Sequence, residues 1–564
     1  MQNLNWREVV KLATPYKKEI LLGQLVALIA VIISLPIPLL FPYLIDEVLL
    51  NKPASLVHSI DTFFTIEKPY FYIIVVLVVT LFLRLFFFLL NLFQIKLFTT
   101  ISKNIVHTIR KSLLEHLKKV SVSEYEVLGS GGVSAKMVTD INTIDAFLGV
   151  SIGKFIVSVM SLIGIAVVLL MIDPELGLII LLVNPLVIGL TVFLGKKVRE
   201  LKRTENKKIE IFQNNLSEML DLFVEIRTHN KETHYIGKIL DDANEVKRSA
   251  IAHEWKSHGA QQLSGLVFFF GLEVLRALSM IMVLLSGLSI GDMVAVLGYI
   301  WFMFNPLQEV LLILFGYANS TAALERLDTL LTLKKEPQYT NTYNPFTKSV
   351  TNAITLKDIS FSYDKNEVIS HLDMHIQKGK TTAILGHSGS GKTTLAHIIL
   401  GLYSPNSGTI LIDDIDSKEI GLGIIRQNIA LVLQQPKMFN DTLRQNLTLG
   451  ESFCEDELWH ILQEVQLGHI IENLSEGLDT QIGKDGIRLS GGERQRLSLA
   501  RMLLRKPNVI IMDESTSALD VHTEANLFAS LNQILAGKTV VIIAHRLSTV
   551  KHADYIYMMD KGAI

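Results

Sequence analysis

Residues 386–393 read Gly386-His387-Ser388-Gly389-Ser390-Gly391-Lys392-Thr393, and this stretch decides the fold of the second half of the chain. The apolar run Thr381–Leu385 before it predicts a buried strand, and residues 394–400, beginning with Thr394, predict a helix. A glycine-rich turn at this junction lets backbone N–H groups surround a phosphate at the helix N-terminus. The sequence therefore predicts an ATP-binding loop, in which Lys392 reaches the β- and γ-phosphates and Thr393 binds magnesium.

Two acidic residues, Asp513 and Glu514, follow a second strand-like run at 509–512. An acid at the carboxyl end of a buried strand can hold magnesium, and a second acid can orient the attacking water. We therefore expect Asp513 to be a magnesium ligand and Glu514 to be catalytic. An Asp-Glu pair after a strand is common by itself, but phosphoryl transfer needs both this pair and the loop at 386–393.

A second predicted anion site lies at 489–495, which read Leu489-Ser490-Gly491-Gly492-Glu493-Arg494-Gln495. The stretch opens a predicted helix, where the Ser490 hydroxyl and the glycine amides can face an anion. One ATP molecule does not need two such sites from the same subunit. The redundancy indicates that this second site serves a nucleotide held by another subunit.

The first half of the chain is apolar enough to be a membrane domain. Of 564 residues, 49% are hydrophobic and 19% charged, which indicates a chain divided between membrane and water. A bilayer core about 30 Å thick needs roughly 20 helical residues. Six apolar runs meet this length, at about 20–45, 70–95, 149–172, 175–195, 260–286 and 293–316. We therefore predict an α-helical transmembrane domain over 1–330, a polar linker over 331–353 and an α/β domain with a largely parallel sheet over 354–564.

Basic residues predict the orientation of these spans. The connections 96–148 and 196–258 hold seven and thirteen Lys plus Arg, whereas the connections around 45–70, 172–177 and 286–292 hold two, none and none. Connections rich in Lys and Arg stay in the cytoplasm, so both termini and the α/β domain are predicted to be cytoplasmic. The two long connections read as helical extensions of the spans, for example over 201–256. The N-terminus does not resemble a cleaved signal or transit peptide.

Residues 4–14 predict a short amphipathic helix in the membrane interface, ended by Pro15, with a soluble amphipathic helix as the alternative. Prolines at Pro36 and Pro38 in the first span, and Pro306 in the sixth, predict kinks.

Ionisable residues inside spans are costly and therefore indicate function. Arg84 falls in the second span, and Glu273 and Arg276 fall in the fifth. The latter two are three residues apart on a helix, so a purely structural ion pair is the alternative. The net charge of −2 does not favour a nucleic-acid partner, and the single cysteine, Cys454, excludes a disulfide framework and a Cys-based metal site.

With these motifs in place, residues 5–564 resemble an ABC exporter half-transporter, the architecture shared by bacterial lipid and multidrug exporters. The stretch 489–495 between a phosphate loop and an Asp-Glu strand carries the resemblance. It implies that Tyr363 stacks on adenine, with a core tyrosine as the alternative. It also implies that Gln434, or else the adjacent Gln435, senses magnesium and the γ-phosphate.

Two further residues take roles only from the resemblance. Asp520, in the stretch 517–520, resembles a residue of the loop that crosses the dimer interface, and His545 resembles the switch histidine that bonds the γ-phosphate. Three features depart from the family pattern: residues 480–486 replace a segment that usually carries Glu-Arg, His229 stands where an apolar residue is usual, and the chain stops at Ile564 where relatives continue, so a truncated tail is expected.

The function implied by the resemblance is ATP-driven export or flipping of a small amphipathic substrate across the lipid bilayer, with ATP and Mg²⁺ as cofactors. The expected assembly is a homodimer, with a heterodimer as the alternative. The expected location is the bacterial inner membrane. A nucleotide-gated regulator or channel without active transport, and an importer with fused domains, are the other functions considered. The cargo is not readable from the sequence.

Overall fold

The computed structural model describes residues 3–564 except 53, 63–67, 286–287, 340–342, 350, 364–365, 484–485, 514–526, 528–529, 532–533, 545–549 and 551–552. Contacts divide the chain into two units. We call Met1–His116 with Gly132–Thr332 the helical unit, and Leu117–Gly131 with Leu333–Ile564 the α/β unit. The loop Leu117–Gly131 thus belongs to the α/β unit although it lies far from it in sequence.

Twelve α-helices precede residue 332 in the described part of the chain, and several are much longer than a bilayer is thick. They are α1 Trp6–Ala13, α2 Lys17–Ser34, α3 Ile37–Leu44, α4 Ser55–Asp61, α5 Tyr70–Leu117, α6 Val122–Ala135, α7 Ile141–Ala146, α8 Ile152–Ile172, α9 Pro174–Asp221, α10 Phe223–Thr228, α11 Glu232–Leu285 and α12 Ile290–Leu331. Within the described residues, five helical stretches are long and apolar enough to cross a membrane. The other predicted span, 175–195, falls in α9, where several side chains lie outside the described set.

The predicted helical connections are present, and one of them is divided into separate helices. A tight turn joins the third and fourth predicted spans, since α8 ends at Ile172 and the Asp173 carboxylate accepts the Leu176 N–H at 2.9 Å to cap α9. The connection 201–256 is helical over most of its length, as predicted, within α9 and α11. It is interrupted by the short α10, and Asn230 adopts a left-handed φ of 52° before α11 begins.

The prolines act differently in the two spans where kinks were predicted. In the first span α2 ends at Ser34 and α3 begins at Ile37, so the helix is interrupted at Pro36 as predicted. In the sixth span α12 continues through Pro306. The α-helix α1 ends at Ala13, before Pro15 as predicted, and a 3₁₀ turn at Thr14–Tyr16 leads directly into α2.

The apolar face of α1 packs against protein. The Trp6 ring stacks on Tyr317 with centroids 5.4 Å apart and meets Phe147 edge-on at 5.3 Å. Its indole N–H donates to Thr321 Oγ1 at 2.8 Å, and Val9 is buried. The amphipathic pattern of residues 4–14 is therefore used to dock α1 on the helical unit, and its placement in the membrane interface stays a prediction.

The described α/β unit contains two larger sheets and a short two-stranded antiparallel sheet, β7-β8. Its strands are β1 Ile354–Tyr363, β2 Asn366–Ile376, β3 Thr381–Leu385, β4 Ser407–Ile412, β5 Ile415–Asp416, β6 Ile429–Val432, β7 Asp441–Thr442, β8 Gln481–Ile482, β9 Val509–Asp513, β10 Thr539–Ile543 and β11 Tyr555–Met558. The parallel sheet has the order β11-β3-β10-β9-β6, which confirms the predicted parallel architecture. The antiparallel sheet β2-β1-β4-β5 was not predicted.

Helices cover the parallel sheet on both faces. They are α13 Lys392–Ile399, α14 Ser417–Ile420, α15 Leu422–Asn428, α16 Leu443–Thr448, α17 Glu455–Glu464, α18 Gly468–Glu472 and α19 Gly491–Leu504. Along β9, Val509 and Ile511 join one hydrophobic core while Ile510 and Met512 join another. Because successive strand residues face opposite sides, both faces of the strand are apolar and the sequence reads as a continuous apolar run.

The end of the predicted linker 331–353 is packed into the α/β unit. Phe346 lies in one of its two cores, and Asn352 is fully buried. The Asn508 side-chain amide donates to Ser349 O at 2.7 Å and to Asn352 Oδ1 at 3.0 Å. The polar composition of this stretch therefore reflects buried hydrogen bonding as well as exposure.

Candidate functional site

The loop 386–391 joins β3 to α13 in a conformation that requires glycine. Gly389 and Gly391 have φ of 83° and 100°, in the left-handed region. A Cβ on Gly386 would lie 2.2 Å from Met559 O, and one on Gly391 would lie 3.0 Å from Val368 O. At Gly386 and Gly391 the loop therefore passes so close to neighbouring backbone that a side chain is excluded.

Polar side chains of the loop are arranged for phosphate. The Lys392 ammonium donates to Gly386 O at 2.9 Å and to His387 O at 2.8 Å, so it lies over the loop. The Ser390 hydroxyl is buried without a hydrogen-bond partner among the described residues. A buried hydroxyl without a partner is costly unless a ligand satisfies it. The predicted ATP-phosphate loop fits these observations.

The predicted magnesium residues Thr393 and Asp513 are in contact. The Thr393 hydroxyl donates to Asp513 Oδ2 at 2.8 Å, and Asp513 is 3% exposed at the carboxyl end of β9. They meet because β3, which precedes the loop, and β9 both pair in parallel with β10. Carboxylate and hydroxyl oxygens are the donors that Mg²⁺ prefers, so this pair fits a magnesium site.

Tyr363 ends β1 beside the phosphate loop. Its hydroxyl lies 3.3 Å from Thr394 Oγ1, and its ring meets Phe361 and Tyr403 edge-on with centroids 5.0 and 5.4 Å away. The ring is 39% exposed, so an aromatic face remains available for stacking. The core-tyrosine alternative is therefore disfavoured, and adenine stacking stays a prediction.

Ser490 caps α19, as the sequence predicts. Its hydroxyl accepts the Glu493 N–H at 3.2 Å, and the Glu493 carboxylate accepts the Ser490 N–H at 2.8 Å. Gly491 and Gly492 form the first turn of this helix. Gln434 follows β6, which neighbours β9, and its carbonyl accepts from Gln495 Nε2 at 3.2 Å. The remaining predicted residues, Glu514, Asp520 and His545, lie outside the described residues and stay predictions.

The charges predicted inside the spans separate into two kinds. Arg84 lines a cavity of about 680 Å³ within the helical unit, together with Thr80, Trp301 and Asn305. The cavity walls come from α2, α3, α5 and α12 and are mostly apolar. Glu273 and Arg276 instead form an ion pair with each other on α11, as the structural alternative predicted.

A charged cluster that was not predicted from the sequence joins α8 to α12. The Lys154 ammonium of α8 lies 2.9 Å from Glu309 Oε1 of α12, and the Ser158 hydroxyl donates to Glu309 Oε2 at 2.7 Å. Both charged residues fall inside predicted spans, 149–172 and 293–316. A basic residue in one span and an acidic residue in another could have indicated an ion pair between the spans. Their mutual pairing lowers the cost of charge in the membrane.

A phosphate loop with an adjoining Asp-bearing strand and a capped second anion-site helix, carried on a chain with long apolar helices, defines a membrane-bound P-loop ATPase. Residues 369–517 match the family model of the ABC transporter, and residues 20–307 match that of the ABC transporter transmembrane region. The chain therefore belongs to the ABC transporter family, as a half-transporter of the exporter type. It is an integral membrane protein whose ATPase domain drives export.

Curated relatives support the same assignment over most of the chain. An uncharacterized ABC transporter ATP-binding protein of Bacillus subtilis is 31% identical and covers 82% of this chain and 80% of its own length. A putative multidrug export ATP-binding/permease protein of the same organism is 27% identical, and the match covers 99% of this chain and 95% of that protein. An ATP-dependent lipid A-core flippase of Vibrio vulnificus is 28% identical over 82% and 80%.

A solved structure supports the fold. The structure of a bacterial Atm1-family ABC exporter with ATP bound has a TM-score of 0.81, 21% sequence identity, and coverage of 97% of this chain and 94% of the other. This likeness extends over both the helical region and the ATPase domain. The prediction of a helical transmembrane region followed by an ABC ATPase is confirmed.

Proposed function

We propose that two copies of this chain form a homodimer that moves a small amphipathic molecule across a bacterial inner membrane by alternating access. Both termini and the ATPase domains lie in the cytoplasm, as the basic connections indicate. ATP closes the two ATPase domains together, and hydrolysis resets the inward-facing state. The names of relatives that export drugs or flip lipid A-core support an amphipathic substrate.

The observation that carries the dimer is the presence of two anion-binding helix N-termini in one α/β unit. The first begins α13 after the phosphate loop, and the second begins α19 at Ser490. In a two-fold dimer each phosphate loop faces residues 489–495 of the partner subunit, so two equivalent sites form from one kind of surface. A heterodimer with a related chain is the alternative, but such pairs often carry one degenerate site and this chain has both motifs intact.

The residues of each site divide the chemistry. Lys392, the loop amides and Ser390 bind the phosphates, and Tyr363 stacks on the base. Thr393, Asp513 and Gln434 would hold magnesium, which when bound neutralises phosphate charge. Glu514 orients and polarises the attacking water, and His545 donates to the γ-phosphate. Asp520 would contribute to contact between the two ATPase domains, a role that it takes from the family resemblance.

The substrate pathway includes the cavity beside Arg84. Its mostly apolar walls suit the hydrophobic part of an amphipathic molecule, while Arg84, Thr80 and Asn305 provide polar contacts. Substituting Arg84 should change substrate-stimulated ATP hydrolysis and leave the basal rate intact. The Glu273–Arg276 pair serves as the matched control, because its two charges already satisfy each other.

Two inactive variants test the shared sites. Lys392→Ala and Ser490→Arg each damage both sites of a homodimer, so each homodimer should be inactive. In a mixed dimer, sites shared between subunits place both lesions in one site and leave the other intact. The mixed species, isolated with two different tags, should therefore recover measurable ATPase activity.

The opposite result has a clear meaning. If each site were built within one chain, both sites of the mixed dimer would remain damaged and no activity would return. Binding of a single ATP to the mixed dimer, measured by equilibrium dialysis, separates this case from two sites that must hydrolyse together. Transport direction measured in inverted vesicles distinguishes export from import, and an unstimulated, uncoupled ATPase would indicate a regulator.

A further inference from the structure

The loop Leu117–Gly131 is held on the α/β unit by a short strand-like pairing. The Ser121 N–H donates to Lys334 O at 3.0 Å, and the Glu336 N–H donates to Lys119 O at 2.8 Å. Val120 and Lys335 form an antiparallel bridge between these contacts. Residues 119–121 and 334–336 therefore form one paired element, which we call the paired segments.

The Arg426 guanidinium fastens the paired segments to the phosphate-loop helix. It donates to both Glu336 carboxylate oxygens, at 2.9 and 3.0 Å. It also donates to Gly401 O at 2.6 Å and Leu400 O at 3.4 Å, immediately after α13. One side chain thus joins the Glu336 carboxylate to the carbonyl groups at the C-terminal end of α13.

A second contact connects the same loop to the base-binding side of the site. The Tyr403 hydroxyl donates to Glu126 Oε2 at 2.6 Å, and its ring stacks on Phe361 with centroids 5.4 Å apart. Tyr403 is 4% exposed, and burial together with the Glu126 hydrogen bond raises the pKa of its phenol. The loop is therefore anchored at two separate places near α13.

We propose that the Arg426–Glu336 ion pair transmits displacement of the phosphate-loop helix to the paired segments, and so to α5 and α12. The helix α13 has eight residues and is about 12 Å long, and we expect it to move as one unit. Phosphate binds at its N-terminus while Arg426 holds the carbonyls at its other end. The paired segments continue directly from α5, which ends at Leu117, and α12, which ends at Leu331.

The geometry favours a positioning role over simple charge neutralisation. A guanidinium that holds both carboxylate oxygens fixes direction as well as distance, whereas a lysine ammonium acts as a point charge. Glu336 and Arg426 are 18% and 30% exposed, so water competes only partly for the pair. The hydrogen bonds of Arg426 go to Glu336, Leu400 and Gly401 and not to the phosphate-loop residues 386–391. This inference rests on the proposed ATP-driven movement of the membrane helices.

The test compares local responses to nucleotide in the full-length protein in nanodiscs. Hydrogen–deuterium exchange is measured without nucleotide and with ATP, magnesium and orthovanadate. In the parent protein, exchange should slow both in the phosphate loop and at residues 101–117 and 317–331, the ends of α5 and α12. Glu336→Gln should keep the phosphate-loop response and basal hydrolysis, and lose about two-fold or more of the response at the helix ends.

Matched variants separate transmission from folding. Glu457→Gln breaks the Lys506–Glu457 pair elsewhere in the same unit and should behave like the parent. Arg426→Lys keeps the charge but loses the two-oxygen geometry, and it should show the same selective loss. The charge-reversed double variant Arg426→Glu with Glu336→Arg should restore part of the helix-end response.

Three other outcomes would contradict either the proposed link or the proposed function. A full helix-end response in both Glu336→Gln and Arg426→Lys would overturn the proposed link. Equal loss in the phosphate loop and at the helix ends would also overturn it, because the pair would then support the site itself. If the parent protein showed a phosphate-loop response but none at the helix ends, the proposed function would fail before the link was considered.

Discussion

The N-termini of α13 and α19 are both predicted anion sites, yet they are capped differently. Helix α13 begins after Gly391, which has no side chain to cap the first amides. Helix α19 begins after Ser490, which exchanges hydrogen bonds with Glu493 in a capping box. The first helix leaves its N–H groups for a ligand, whereas the second satisfies some of its own.

The difference follows from what each helix end does before the dimer closes. In the α13 loop the close approach of Met559 and Val368 permits only glycine at positions 386 and 391, and the loop itself is proposed to supply the phosphate contacts. At α19 the capping box stabilises the helix by about 1 kcal/mol while no partner is near. A phosphate arriving from another subunit would then share the Ser490 hydroxyl and approach the Glu493 carboxylate. The cap therefore makes the second site depend on rearrangement.

The largest expected effect is at the open helix end. Lys392→Ala should reduce ATP hydrolysis by about 100- to 1,000-fold, because it removes a positive charge from the developing phosphate charge. The purified protein's phosphate release measures this. Lys506→Ala removes an exposed lysine of the same unit and should leave the rate near wild type. Similar rates in both variants would remove Lys392 from the site.

The next effect concerns the Thr393–Asp513 contact. Thr393→Val is nearly isosteric but lacks the hydroxyl, so the magnesium concentration needed for half-maximal hydrolysis should rise about ten-fold. Thr393→Ser retains the hydroxyl and should remain close to wild type. A magnesium titration of hydrolysis makes the comparison. An unchanged requirement in the valine variant would exclude Thr393 as a ligand.

Separating the two halves of the α19 cap gives smaller changes. Ser490→Ala and Glu493→Ala should each destabilise the α/β unit by about 1 kcal/mol, because each breaks the capping box. Only Ser490→Ala should also lower ATP hydrolysis by the homodimer, because only it removes the hydroxyl proposed to face the partner's nucleotide. Thermal unfolding and hydrolysis are measured together. Equal hydrolysis in the two variants would mean that Ser490 acts only as a cap.

The smallest expected effect is at the other end of α13. His397 lies in its last turn, where the helix dipole favours a charged imidazole, yet burial lowers the pKa of this side chain below its usual value. The folded protein therefore prefers the neutral ring, so this stability is fully present above about pH 6.5, the pKa of the unfolded state, and is lost as the pH falls toward the lower pKa of the folded state. His397→Phe should flatten the fall in unfolding temperature between pH 7.5 and 5.5. An identical pH dependence in both proteins would contradict this assignment.

The phosphate loop and the membrane spans were predictable because their signals are local. A glycine-rich turn between a strand and a helix has one common use, and a long apolar run has few alternatives to a membrane. The antiparallel sheet β2-β1-β4-β5 was missed because its strands are partly exposed and irregular, with register shifts between Leu356 and Ser362. The break at α10 was missed because no proline marks it.

The order of motifs along the chain determined the family, the ATPase chemistry and the presence of a membrane domain. Contacts between residues far apart in sequence were decided only by the tertiary structure. Lys154 and Glu309 lie in different spans, Glu336 meets Arg426, and Glu126 meets Tyr403. Each of these pairs depends on helix rotation and strand order, which no single segment specifies. A phosphate loop is specified by its own backbone, whereas a link between helices is specified by how the whole chain packs.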